Sequence, residues 1–132
     1  MTGLSDPRIP LFFTQDAQGG YTGGIYGSNN NYATYSKPSE TITDPSFEAL
    51  LLDYSEVEFL KAEAVERGFG VGGSAEEHYD NGIRASISYW GGSDAQANTY
   101  LSDGKVAYST ATGNWKHKID TQKLIALYNR GF

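Results

Sequence analysis

The sequence predicts an all-α fold: a helical hairpin, a further C-terminal helix, and long irregular loops rich in glycine and tyrosine. Three observations predict it. Between Asp53 and Trp90, apolar residues recur at spacings of three and four, the period of a helix buried on one face. Both periodic runs open on a Ser-x-x-Glu pattern and close on glycine. From Asp16 to Pro38, by contrast, neither a helical nor a strand period survives.

The chain opens with Asp6-Pro-Arg-Ile-Pro10, where two prolines disfavour helix and predict an extended segment. Leu11, Phe12 and Phe13 are expected to dock on the hairpin. For Arg8, structural pairing with a carboxylate is preferred over ligand contact. The loop from Asp16 to Pro38 is longer than most connections, and long loops are commonly functional or disordered. It carries Tyr21, Tyr26, Tyr32 and Tyr35 with Asn29, Asn30 and Asn31. A tyrosine joins a flat apolar face to a hydroxyl, and a carboxamide donates and accepts at once, which together suit a sugar ring. Pinning the loop is the commoner use of such tyrosines and is the preferred reading. Tyr21, Tyr26, Asn31, Tyr32 and Tyr35 are nonetheless the candidate ligand contacts.

Phe47, Leu50, Leu51 and Leu52 lead into the first hairpin helix. Ser55 and Glu58 are read as its capping box, with Val57, Leu60 and Ala64 as its buried face and Gly68 as its left-handed stop. Ser74 and Glu77 repeat the box. Tyr79, Ile83, Ile87 and Trp90 form the second stripe, and Gly91 and Gly92 end it. Small residues at Ala62, Ala64, Gly82 and Ala85 allow close approach, as in a tetratricopeptide-like unit. No second copy follows at that repeat's period of roughly 34 residues. A short helix is expected over Ala95–Leu101 with Tyr100 and Leu101 inward, then an extended piece over Lys105–Tyr108. The last helix is expected from Asn114, with Trp115, Ile119, Leu124, Leu127 and Tyr128 at helical spacing and Gly131 as a stop or kink.

Sixteen glycines, ten tyrosines and a net charge of −6 in 132 residues describe a globular chain ill-suited to phosphate backbones or anionic lipid. Acidic residues concentrate between Glu40 and Asp80, whereas Lys116, Lys118, Lys123 and Arg130 make the C-terminal segment basic. Packing of the two, or two solvated faces, are both open. There is no cysteine, and no apolar run of the roughly 20 residues that span a bilayer. Residues 1–5 do not read as a signal peptide.

Three stretches carry a resemblance. Asp6-Pro-Arg-Ile-Pro10, the hairpin run Ser55–Ala64 with Tyr79-Asp-Asn-Gly-Ile-Arg-Ala-Ser86, and Ile119-Asp-Thr-Gln-Lys123 resemble the SusD/RagB family, in the family's order. Its members are starch- and glycan-binding outer-membrane lipoproteins, several times longer than this chain. The resemblance implies a helical scaffold carrying irregular glycan-binding segments, surface exposure, and a TonB-dependent SusC-like transporter as partner. It also implies that residues 1–132 are one partial domain. Within it, 1–52 is irregular, 53–92 the hairpin, and 93–132 a short helix, a loop and the C-terminal helix. On that reading the chain is a fragment. Leu124, Leu127 and Phe132 are then expected to be exposed, and glycans to bind weakly or not at all.

Asp53, Glu56, Glu58, Glu63 and Glu66 invite a glycosidase reading, which needs an acid and a base flanking one bond. Their spacing instead gives ordinary helix pairings, Glu63 with Arg67 and Glu58 with Lys61. His78 and His117 have no partner at metal-binding spacing. No catalytic residue, cofactor or metal is therefore expected. Ranked by these features, the functions are a non-catalytic glycan-binding module, then a helical protein-interaction module, then a polysaccharide hydrolase.

Overall fold

The structure, a computed structural model, describes residues 1–130. Gly131 and Phe132, expected as a stop and as an exposed apolar end, lie outside the described residues. Among those described there are six α-helices and no strand: α1 (Ile9–Phe12), α2 (Glu40–Thr43), α3 (Tyr54–Glu66), α4 (Ala75–Tyr89), α5 (Asp94–Leu101) and α6 (Trp115–Ala126).

α3 and α4 form the expected antiparallel hairpin. Ser55 near the start of α3 faces Gly82, and Glu58, one turn on, faces His78, earlier in α4. Gly68 ends α3 at φ +85°, the left-handed conformation that glycine adopts without strain. Ser74 caps α4 through its Oγ, which accepts from Glu77 N at 3.1 Å. Tyr79, Ile83, Ile87 and Trp90 are all buried.

The first helix differs from its expected register. Asp53, not Ser55, caps α3: its carboxylate accepts from Glu56 N at 2.8 Å. Ser55 Oγ instead donates to the Gly82 carbonyl at 2.7 Å inside the hairpin. The buried face is Ser55, Glu58, Phe59 and Ala62, while Val57 and Ala64 are half-buried and Leu60 is exposed. The reason is Gly82. A Cβ there would lie 2.9 Å from the Phe59 ring, so the missing side chain is the space that ring fills.

Three further expectations are corrected. The Asp6–Pro10 segment leads into a helical turn, because Pro10 sits in the first turn of α1, where an amide is not needed. Lys105–Tyr108 is a turn rather than an extended piece, since the amides of Val106 and Ala107 both donate to Asp103 O at 2.8 Å. Leu127 is buried, whereas Leu124 is exposed as expected.

α6 packs on both α3 and α4. Arg130, beyond its end, pairs with Asp53 at the start of α3, so basic and acidic segments do meet. Arg8 closes the assembly. Wholly buried, it pairs with Asp6 at 2.7 Å, and its guanidinium also donates to Ser86 Oγ at 3.0 Å and Gln122 Oε1 at 3.1 Å. This is the structural role expected for it. Around the N-terminal turn a second apolar cluster gathers Phe12, Trp90 and Ile125, with Phe13, Phe47 and Tyr128 against it.

Candidate functional site

The loop leaves the end of α1 and returns to it. Phe13 and Pro38 form an isolated antiparallel bridge at its base, and Thr14 N donates to Lys37 O at 2.8 Å. Further along, Ala17 N donates to Thr34 O, and Ser36 N to Thr22 O. Asp16 Oδ1 accepts from the amides of Gln18 and Gly20 at 2.9 and 2.8 Å. Hydrogen bonds from Thr22 and from Gly20 hold the Asp16 carboxyl below its ordinary range. At the tip, Asn30 Oδ1 accepts from Ile25 N at 2.8 Å, while its Nδ2 donates to the carbonyls of Ile25 and Ser28. The excursion is irregular but cross-linked along its length. Such cross-linking lowers the entropy lost when a ligand orders it.

The four tyrosines divide into two pairs. Tyr26 is wholly exposed and Tyr32 is 78% exposed. The Lys37 ammonium lies 4.4 Å from the centroid of the Tyr32 ring, a contact that steadies it. Tyr21 and Tyr35 are half-buried, and Tyr21 lines a cavity of about 240 Å³ with Ile9, Phe13 and Ser36. One pair therefore presents its rings to solvent, and the other is partly covered. Asn31 is exposed at the tip, with its Oδ1 accepting from Ala33 N at 3.0 Å. Asn30 is committed to the loop's own backbone, so its carboxamide is not available to a ligand.

Four of the five carboxylates named in the hairpin, all but Glu56, have structural partners. Asp53 caps α3 and pairs with Arg130. Glu63 pairs with Arg67 at 2.6 Å, and Glu66 accepts from the Tyr108 hydroxyl at 2.6 Å. Glu58 is not the surface group that its spacing from Lys61 suggested. It is 1% exposed, and its two oxygens take Lys61 Nζ at 2.9 Å and His78 Nδ1 at 2.7 Å. Burial pushes the Glu58 carboxyl up, but the hydrogen bonds from Lys61 and His78 outweigh it and hold it below its usual value. His78 is correspondingly raised by its bond to Glu58. Sequence reasoning missed this pair because its members lie 20 residues apart on different helices. The visible signal was a histidine on the buried stripe of α4, beside Tyr79.

Among the described residues no group of three or more histidines and carboxylates is placed to hold a metal ion. Likewise, no helix is long and apolar enough to cross a membrane.

The whole of residues 1–132 matches the model of a SusD-like family described as starch-binding and associating with the outer membrane. The chain belongs to the SusD-like family. Solved structures agree. A chitin-binding SusD homologue from Flavobacterium johnsoniae is 30% identical with a TM-score of 0.81, over 98% of this chain and 32% of its own. A SusD homologue from Bacteroides thetaiotaomicron is 29% identical with a TM-score of 0.77, over 98% and 33%. A SusD homologue from Parabacteroides distasonis is 29% identical with a TM-score of 0.70, over 92% and 28%. The all-α SusD-like architecture is thus shared, and this chain spans about a third of the length of these relatives. Comparison with curated proteins gave no match.

Proposed function

We propose that the chain is part of a glycan-binding component of an outer-membrane uptake system, surface-exposed, and working beside a TonB-dependent transporter of the SusC kind. Recognition rather than catalysis is its role. The observation that carries this reading is the loop: Tyr26 and Tyr32 stand exposed on a segment braced by its own hydrogen bonds, in a chain of this family. The family description names starch, and the Flavobacterium relative is described as chitin-binding, so both saccharides are apt probes. The engagement of Asp53, Glu58, Glu63 and Glu66 by structural partners supports binding over hydrolysis.

The test is calorimetric titration of the chain with maltohexaose and chitohexaose, with reducing ends assayed in parallel. Saturable binding without new reducing ends is the expected result. Release of reducing ends would replace the reading with a hydrolase, and no heat with either sugar would remove it for these two ligands.

A further inference from the structure

The turn between α3 and α4, residues 68–73, reads Gly-Phe-Gly-Val-Gly-Gly and carries no charged residue. Gly68, Gly72 and Gly73 hold φ of +85°, +76° and +70°, and so glycine-rich a turn is entropically costly to fix. It nevertheless presents two apolar side chains, Phe69 and Val71, to solvent. The amides of Gly68 and Phe69 donate back to Val65 and Ala64 of α3. Among the described residues, the one hydrogen bond tying residues 70–73 to either helix comes from a side chain: His78 Nε2 lies 2.7 Å from the Gly72 carbonyl oxygen. The approach depends on Gly73, where a Cβ would lie 2.8 Å from that nitrogen.

The other ring nitrogen, Nδ1, lies 2.7 Å from Glu58 Oε2. A carboxylate and a carbonyl oxygen can only accept, so both contacts are hydrogen bonds when the ring carries both protons. A neutral ring has one N–H for two acceptors. The buried carboxylate keeps it, because a bond to a charged acceptor is the stronger. The Gly72 oxygen then faces the bare lone pair of Nε2, and the contact turns repulsive. The charged groups that face the ring come from both helices. α3 brings Glu58, which favours the charged ring, and Lys61, which opposes it; α4 brings Glu77, whose carboxylate flanks Gly73. We infer that His78 is a proton-operated latch on the α3–α4 turn: its charged ring pins Gly72, and loss of the Nε2 proton to solvent frees residues 69–73 while the helices stay packed. The hydrogen bond to Glu58 raises the His78 value, so the latch is shut below that raised value and opens as pH rises through it. The latch is independent of the glycan reading above.

Nuclear magnetic resonance of the whole chain follows both halves of the latch. Ring ¹⁵N signals report the protonation of His78, separated from those of His117 with a His117→Gln variant. Relaxation of the Gly70, Val71, Gly72 and Gly73 amides reports the order of the turn. The turn is expected to loosen with the midpoint of the ring titration, its open population rising about 10-fold as the charge-assisted bond is lost. Lys61→Gln, on a partly exposed side chain, removes a charge that opposes ring protonation and is expected to move both midpoints upward together. Gly73→Ala, whose methyl would strike Nε2, is expected to leave the turn loose at every pH. A turn that loosens or stays rigid out of step with the ring overturns the latch, as does a ring that holds both protons until the helices unfold. Loss of α4 amides together with those of the turn assigns the change to general unfolding and overturns it as well. So does a Gly73→Ala turn that still tightens in acid.

Discussion

Arg8 and Gln122 lie 114 positions apart, yet Arg8 Nη2 donates to Gln122 Oε1 at 3.1 Å in the buried interior. The same guanidinium holds Asp6 and Ser86, so the three stretches that carry the family resemblance converge on one side chain. Their recurrence together has a physical basis: each supplies part of the shell that makes a buried positive charge tolerable.

Removing that charge should therefore be worse than losing one contact. Arg8→Ala strands the buried Asp6 carboxylate and is expected to cost about 3–5 kcal/mol. Arg8→Lys keeps the charge but lacks the planar fork that reaches three partners, and should recover only part of the loss. Urea unfolding of the two variants checks this. An Arg8→Ala midpoint equal to that of the parent would show the network to be dispensable.

A second buried pair sets the pH response. His78 places Nδ1 against Glu58 and Nε2 against the Gly72 carbonyl, both at 2.7 Å, so both nitrogens face acceptors and the protonated ring is favoured. Because the His78 value is raised on folding, its contribution is complete below the unfolded value and is lost as pH rises through the folded one. Because the Glu58 value is lowered, its contribution holds above the unfolded value and is lost as pH falls through the folded one. Thermal stability should thus peak between those limits and decline on the alkaline side through His78. His78→Gln should flatten the alkaline decline and cost about 3 kcal/mol within the window, since Lys61 still meets Glu58. Melting curves across pH decide it; an unchanged alkaline decline in the variant would assign that slope to another group.

Side chains on the two faces of α3 and α4 should respond unequally. Ile83 is fully buried, and Ile83→Ala is expected to cost about 2–5 kcal/mol. Gly82→Ala drives a methyl into the Phe59 ring and should cost about 1–3 kcal/mol. Leu60→Ala, on an exposed residue, should lie within about 0.5 kcal/mol of the parent. Similar losses for Leu60→Ala and Ile83→Ala would mean that α3 turns the other face inward.

These contrasts show what the sequence could reveal. α4 was legible because Tyr79, Ile83, Ile87 and Trp90 recur at helical spacing on its buried face, and its serine cap and glycine stop are local signals. α3 was legible as a helix but not in its register. Its buried face includes Ser55 and Glu58, whose burial depends on Gly82 and His78 in the other helix, and no local pattern carries that. Pro10 misled because proline in a first helical turn is permitted, and a single turn has no period to find. In the loop, residue type pointed to Tyr26 and Tyr32, but only the fold separates them from Tyr21 and Tyr35.

Loop recognition of a neutral glycan has its own signature. Tyr26→Ala and Tyr32→Ala each remove an exposed ring that supports little of the fold, so melting should be unchanged while loop affinity falls about 5- to 30-fold per ring, the order of an aromatic contact. Asn30→Ala acts differently. It removes three hydrogen bonds that close the tip, so it should loosen the loop and weaken binding without touching the sugar. Amide exchange over residues 25–30 separates the two effects, rising in Asn30→Ala and unchanged in the tyrosine variants. Salt adds a third axis. An uncharged ligand releases no counterions, so affinity should be level between low and high ionic strength. A steep fall with salt points to a charged ligand, and unchanged affinity in both tyrosine variants leaves the exposed rings with no part in binding.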